Sequence, residues 1–155
     1  MSTSLHQDTL LPLTKTYGIL FSERSPRRLD SLLARIKALA KQYNLECNIK
    51  VFDLSKGKDF ARSALKGLGG IYILHNKTTG LFYLGSAQRF FDNQGRLNDY
   101  FMASRVTQSI ARKSTKVSYD LAVLINKHTI NDFTLIALPV SSISSEVYLK
   151  GIEQL

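Results

Sequence analysis

The chain has 155 residues, which is enough for one well-packed core and too few for two comfortable domains. Its 44% hydrophobic fraction, with eight Phe and seven Tyr, is typical of a globular protein and excludes wholesale disorder. The formal net charge of +9 favours nucleic acid as the partner, because Lys and Arg release the counterions condensed on phosphates. The single cysteine, Cys47, cannot form an internal disulfide, so a reducing compartment is expected. The apolar runs are shorter than the roughly 20 residues that cross a bilayer, so we expect a soluble protein with no membrane partner.

The front of the chain predicts a β-α-β segment over residues 16–66, after an N-terminal tail at residues 1–15. "YGILF" at residues 17–21 is typical of a short strand. The stretch after it has a capping Ser25, Pro26 at the first helical position and leucines at helical spacing, which predicts an amphipathic helix. "LECNIKVFDL" at residues 45–54 alternates and predicts a half-buried strand whose apolar face holds Leu45, Cys47, Ile49 and Val51.

This front segment holds most of the positive charge. Residues 24–66 contain 11 basic and 4 acidic residues, an excess of seven in a chain whose total is +9. We therefore expect it to face phosphates, although a charged helix face is often only solvated. The candidate nucleic-acid contacts are five residues of the predicted helix and three further cations later in the chain: Arg27, Arg28, Arg35, Lys37, Lys41, Arg89, Arg112 and Lys113.

The rest of the chain predicts a hairpin, helices and one more strand. A short helix at residues 58–66 ends at Gly67, and the apolar runs "IYIL" and "LFYL" flank a polar "HNKTTG" loop, which indicates a β-hairpin. "RLNDYFMASRV" and "SYDLAVLINKH" predict two helices, "DFTLIALPV" a strand, and "SSEVYLKGIEQL" a last helix that starts at a Ser cap. This order favours an α+β fold, with an antiparallel sheet flanked by helices.

The hairpin resembles the two signature motifs of the GIY-YIG nuclease family. "GIY" stands at residues 70–72 and "YLG" at residues 83–85, with the family's separation between the tyrosines and with "GSA" completing the second motif. "RLNDY" supplies Arg96 and Tyr100 at the family's spacing, "NDFTLIAL" is similar to its later strand, and "EQL" supplies Glu153. The resemblance covers residues 66–155 and is closest in style to homing endonucleases of fungal mitochondrial group I introns.

The resemblance implies a GIY-YIG-like domain at residues 67–155 and a metal-dependent endonuclease in mitochondria. It makes Tyr72 the general-base candidate, while Tyr83 and Tyr100 position water and phosphate. Arg96 would clamp the scissile phosphate with its guanidinium fork. Glu153 would hold a single Mg²⁺ that stabilises the leaving oxygen. The histidines His6, His75 and His128 are too scattered to indicate a zinc site.

Two departures from the family pattern keep other functions open. The interval from Tyr83 to Arg96 is about three residues longer than the family pattern, with "FFDNQG" as the insertion, and this leaves Arg89 as a poorer rival to Arg96. The chain also stops two residues after Glu153, so we expect the domain to be truncated at its C-terminus. The alternative function is a catalytically decayed GIY-YIG domain that binds RNA as a structural subunit of a mitochondrial ribonucleoprotein such as the mitoribosome, alongside other protein partners. A third possibility is a basic module that binds an acidic protein.

Overall fold

The computed structural model describes residues 18–21, 27–92, 95–112 and 119–153. The predicted tail at residues 1–15 lies outside them. Five strands form one sheet in the order β1-β4-β3-β5-β2, and every neighbouring pair is antiparallel. The strands are β1 (Gly18–Phe21), β2 (Lys50–Asp53), β3 (Gly70–Asn76), β4 (Phe82–Ala87) and β5 (Phe133–Pro139). The α+β class and the antiparallel sheet with flanking helices are therefore confirmed.

Six helices accompany the sheet in the described part of the chain. The first two are α1 (Arg27–Tyr43) and α2 (Asp59–Ala64). Between β4 and β5 lie α3 (Arg96–Phe101), α4 (Ala103–Arg112) and α5 (Tyr119–His128), and α6 (Ser142–Glu153) follows β5. Within the described ranges, no helix combines the length and apolar character needed to cross a membrane.

The helices cover both faces of the sheet and make a three-layer fold. On one face, α2 to α5 pack on a core that we call the first cluster, and it contains Tyr72, Leu74, Tyr83 and Leu135 from the strands. On the other face, α1 and α6 pack on a second cluster that contains Ile71, Ile73, Leu84, Ile136 and Leu138. Successive residues of a strand point to opposite faces, so β3 contributes to both clusters in turn. A central strand covered on both faces explains why "GIYIL" is a continuous apolar run.

The front segment completes the sheet from both sides. β1 pairs with β4 and β2 pairs with β5, so the two strands lie at opposite edges and do not pair with each other. The β-α-β order predicted for residues 16–66 is present. Its strands share one sheet with those of residues 67–155.

The strand predicted at residues 45–54 is wrong in length and in one buried position. Only Lys50–Asp53 forms a strand, and Val51 is 63% exposed while Phe52 is buried in the first cluster. Leu45, Cys47 and Ile49 do pack partly against the second cluster, on the face that the alternation predicts. β2 is one of the two edge strands, and Val51 on it is not covered by the helices of that face.

The helix predicted over "RLNDYFMASRV" is broken at Met102, whose backbone is extended (φ −108°, ψ 111°). Phe101 and Val106 are both buried in the first cluster. In a straight helix, positions five apart point roughly 140° away from each other, so one of the two would face solvent. The break turns the chain so that both side chains reach the same core. The last helix also begins earlier than predicted, at Ser142, with Ser141 Oγ accepting a hydrogen bond from Ser144 N at 3.2 Å.

Candidate tyrosine site and nucleic-acid surface

Three tyrosines from the hairpin and from α3 meet in the first cluster. Tyr72 lies on β3, Tyr83 on β4 and Tyr100 on α3, and we call them the tyrosine cluster. Their ring centroids are 6.0 to 6.2 Å apart. The hydroxyls of Tyr72 and Tyr100 are hydrogen-bonded at 3.0 Å. Residues 28 positions apart in sequence are thereby brought into direct contact.

Strand register explains how the hairpin places its two tyrosines. Tyr72 stands opposite Gly85 and Leu74 opposite Tyr83, so Tyr72 and Tyr83 project from the same face at diagonal positions. Diagonal neighbours on paired strands are within reach of aromatic side chains. Tyr100 approaches from the helical layer and has an edge-on contact with Tyr83, at an interplanar angle of 74°.

The tyrosine cluster is closed to solvent. The exposed fractions are 0% for Tyr72, 3% for Tyr83 and 1% for Tyr100. A general base has to come within hydrogen-bond reach of the water or hydroxyl whose proton it takes. In this conformation the three phenols contact one another and the core.

The segment that precedes Arg96 is anchored in the same core. Phe90 and Phe91 are buried in the first cluster, and Phe90 N donates to Leu68 O at 2.8 Å. The guanidinium of Arg62 lies 5.9 Å from the ring centroids of both Phe91 and Phe101. The predicted insertion therefore adds aromatic packing beside the tyrosine cluster. Arg96 itself is the first residue of α3, and its side chain lies outside the described part of the structure.

The helix that carries Glu153 lies on the other face of the sheet. Glu153 is the last residue of α6, and its side chain lies outside the described part. Tyr148, Leu149 and Ile152 of α6 belong to the second cluster, whereas the tyrosines belong to the first. The sheet therefore separates the packed face of α6 from the tyrosine cluster.

The described side chains around the tyrosines do not by themselves make up a metal centre. No group of three or more His, Cys, Asp or Glu side chains suited to a metal ion occurs among the described residues. The one carboxylate implied as the Mg²⁺ ligand, Glu153, belongs to the helix across the sheet. The described residues at the tyrosine cluster therefore do not supply the set of oxygen ligands that would hold a metal ion there.

A cleft of about 280 Å³ lies beside α4 and α5, and of the three tyrosines only Tyr100, itself 1% exposed, lines it. Tyr100 lines it together with the apolar side chains Phe101, Val106 and Ile125. Lys58 is the one charged residue that lines the cleft, and no carboxylate lines it. The cleft is thus a mostly apolar depression behind the tyrosines.

The eight candidate nucleic-acid contacts differ in their surroundings. Lys37, Lys41 and Arg89 are exposed. Arg35 is half-buried, and its Nε donates to Gly151 O at 3.3 Å, where it binds a terminal carbonyl of α6. The other four are not described beyond their backbone: Arg27 and Arg28 begin α1, Arg112 ends α4, and Lys113 lies outside the described residues.

Several exposed cations have no acidic partner in the described part of the chain. Four other cations each form a salt bridge with a carboxylate, namely Lys77, Arg62, Arg105 and Lys150. The exposed cations without such a partner are Lys37, Lys41, Lys56, Lys66, Arg89 and Lys127, and we call them the open cations. Lys56, Lys66 and Lys127 were not among the predicted contacts. The local charge excess pointed to the first two, and no motif marks Lys127.

Comparison of the chain with family models, with curated proteins and with solved structures gave no match.

Proposed function

We propose that this protein is a nucleic-acid-binding protein with a GIY-YIG-like fold, in which the tyrosine cluster is a structural core element. In this proposal it binds RNA as a structural subunit of a mitochondrial ribonucleoprotein. The observation that carries the proposal is the closure of the tyrosine cluster, because the three phenols are 0 to 3% exposed. In this conformation a phosphodiester does not reach the phenols, and access would need a rearrangement of the core.

The open cations supply the binding surface. Each contact between such a cation and a phosphate releases counterions, and this gives affinity without sequence readout. Lys37 and Lys41 lie four positions apart on α1 and are both exposed, so they share one helix face.

The distribution of the open cations favours RNA in a folded particle. Lys37 and Lys41 belong to the layer of α1 and α6, whereas Lys127 belongs to α5 in the opposite layer. A straight duplex lies against one face of a protein. A folded RNA can contact several faces, as expected for a subunit embedded in a ribonucleoprotein.

Salt-dependent binding tests this proposal. Fluorescence anisotropy with a labelled single-stranded RNA should give an affinity that falls steeply with salt. The double substitution Lys37→Ala and Lys41→Ala should reduce the slope of log K against log salt by about 1.4, from two lost phosphate contacts on a single strand. Lys150→Ala is the matched control, because Lys150 is exposed on a helix but paired with Glu146 at 2.8 Å. Equal slopes for the three proteins would refute a role for Lys37 and Lys41, and the absence of RNA binding would refute the proposal.

A metal-dependent endonuclease of the GIY-YIG type is the second candidate. The observation that favours it is the contact of Tyr72, Tyr83 and Tyr100, which the family motif implies and core packing alone does not require. In that case Mg²⁺ would supply charge stabilisation at the leaving oxygen, and the tyrosine cluster would have to become accessible to substrate. Cleavage assays distinguish this candidate from the first.

A further inference from the structure

We propose that the cleft between the end of β4 and the start of α6 binds a phosphate group. The cleft has a volume of about 150 Å³, which accommodates a tetrahedral oxyanion. Ser86 and Gln88 line it from the β4 side, and Ser142 and Ser145 line it from α6. The cleft lies apart from the tyrosine cluster. Ser86 is two positions after Leu84 on β4, so it projects from the face of the sheet that carries the second cluster, opposite the tyrosines.

Two serines that are almost fully buried line this cleft. Ser86 and Ser145 are each 4% exposed, and within the described part of the chain neither hydroxyl forms a hydrogen bond. Neither hydroxyl oxygen is among the fully buried side-chain atoms without a partner, so both are reached from the open cleft. Two unpartnered hydroxyls on one cleft can both donate to an acceptor-rich ligand between them.

The start of α6 adds backbone donors to the same place. Ser144 N is occupied by Ser141 Oγ at 3.2 Å, and Ser145 N by Ser141 O at 2.8 Å. The N–H groups of Ser142, which lines the cleft, and of Ile143, the next residue along the helix, have no acceptor among the described residues. A helix N-terminus has partial positive charge, which attracts an anion to such free donors.

The chemistry of the lining selects an anion. The lining residues have no carboxylate, and their polar side-chain groups are the serine hydroxyls and the Gln88 amide. A phosphate offers several acceptor oxygens in a tetrahedral arrangement, which matches donors that converge from β4 and α6. The ligand is either a free phosphate or phosphate monoester, or a backbone phosphate of a bound nucleic acid. The inference does not depend on the proposed RNA-binding function.

An NMR titration of the full chain with inorganic phosphate tests the site, with sodium chloride at matched ionic strength as the reference. The amide signals of Ser142 and Ile143 should shift saturably with phosphate and not with chloride. Ser86→Ala and Ser145→Ala should each weaken phosphate binding about tenfold or more, the effect expected for a lost hydrogen bond to a charged ligand. Ser63→Ala is the control, because Ser63 is an exposed serine on another helix, and it should bind phosphate as the wild type does.

The absence of a saturable shift at Ser142 and Ile143 would overturn the site, as would wild-type affinity in both Ser86→Ala and Ser145→Ala. If RNA still binds in that case, the proposed function stands and only the cleft fails. A competition arm identifies the source of the ligand. Displacement of RNA by phosphate beyond the effect of matched chloride assigns the cleft to a backbone phosphate. Simultaneous binding of both assigns it to a free phosphate.

Discussion

The ring of Tyr72 occupies the space where Gly85 has no side chain. The two residues are directly opposite each other on β3 and β4. A Cβ on residue 85 would lie 2.5 Å from both Cζ and Oη of Tyr72. The glycine of "YLG" therefore allows the tyrosine of "GIY" to cross the neighbouring strand and reach Tyr100.

A double-mutant cycle tests this relationship. Gly85→Ala should lower the free energy of unfolding by about 1 to 3 kcal/mol, the usual cost of overpacking a core. In a Tyr72→Ala background the same change should cost much less, because the clashing ring is absent. Chemical denaturation measures all four proteins. Equal costs of Gly85→Ala in the two backgrounds would show that the ring does not need the glycine.

Removal of a hydroxyl from the tyrosine cluster should affect stability and leave binding unchanged. Tyr72→Phe and Tyr100→Phe each remove a partner from the buried 3.0 Å hydrogen bond, so each should lower the free energy of unfolding by about 1 to 3 kcal/mol. Tyr43→Phe is the control, because Tyr43 is 52% exposed and should change stability little. RNA affinity should be the same in all three variants. A loss of affinity without a loss of stability would instead place the phenols in contact with nucleic acid.

The close packing of α6 on α1 gives a third prediction. Glycine inside a helix normally costs about 0.5 to 1 kcal/mol relative to alanine, so Gly151→Ala should stabilise an isolated helix. Here the new Cβ would lie 2.5 Å from both Cδ atoms of Leu39, which is buried. We therefore expect Gly151→Ala to destabilise the wild type and to stabilise a Leu39→Ala variant. Thermal unfolding of the four proteins measures the sign, and the same sign in both backgrounds would contradict the packing.

Asp53 gives a pH-dependent prediction. The side-chain hydrogen bond from Lys77, followed by those from Ser55, lowers the pKa of Asp53 to about 2 from an ordinary 3.8. Because the folded-state pKa is depressed, the stabilisation is present above about pH 4 and is lost as the pH falls through 2. An NMR titration of the carboxyl carbon should give a midpoint near 2.

Lys77→Met should raise that midpoint while leaving it below 3.8, since the Ser55 hydrogen bonds remain. Asp53→Asn should make the melting temperature less dependent on pH between 4 and 2. A midpoint near 3.8 in the wild type would show that the Lys77 contact does not persist in solution.

The sequence predicted the local elements well because their signals are local. The hairpin formed where the apolar runs and Gly80 indicated. The contact of Tyr100 with Tyr72 joins a helix to the hairpin, and helical spacing alone does not predict it. The exposure of Val51 was missed because it depends on the edge position of β2 in the sheet, which alternation does not encode. The break at Met102 and the burial of the tyrosines likewise arise from how distant helices pack on the sheet.

The most direct test of the account is a cleavage assay with labelled RNA and supercoiled plasmid at stoichiometric protein in the presence of Mg²⁺. The protein should show no cleavage above background in samples that bind RNA with a steep salt dependence. Cleavage by the wild type that is abolished in both Arg96→Ala and Glu153→Gln would contradict the account and establish the endonuclease.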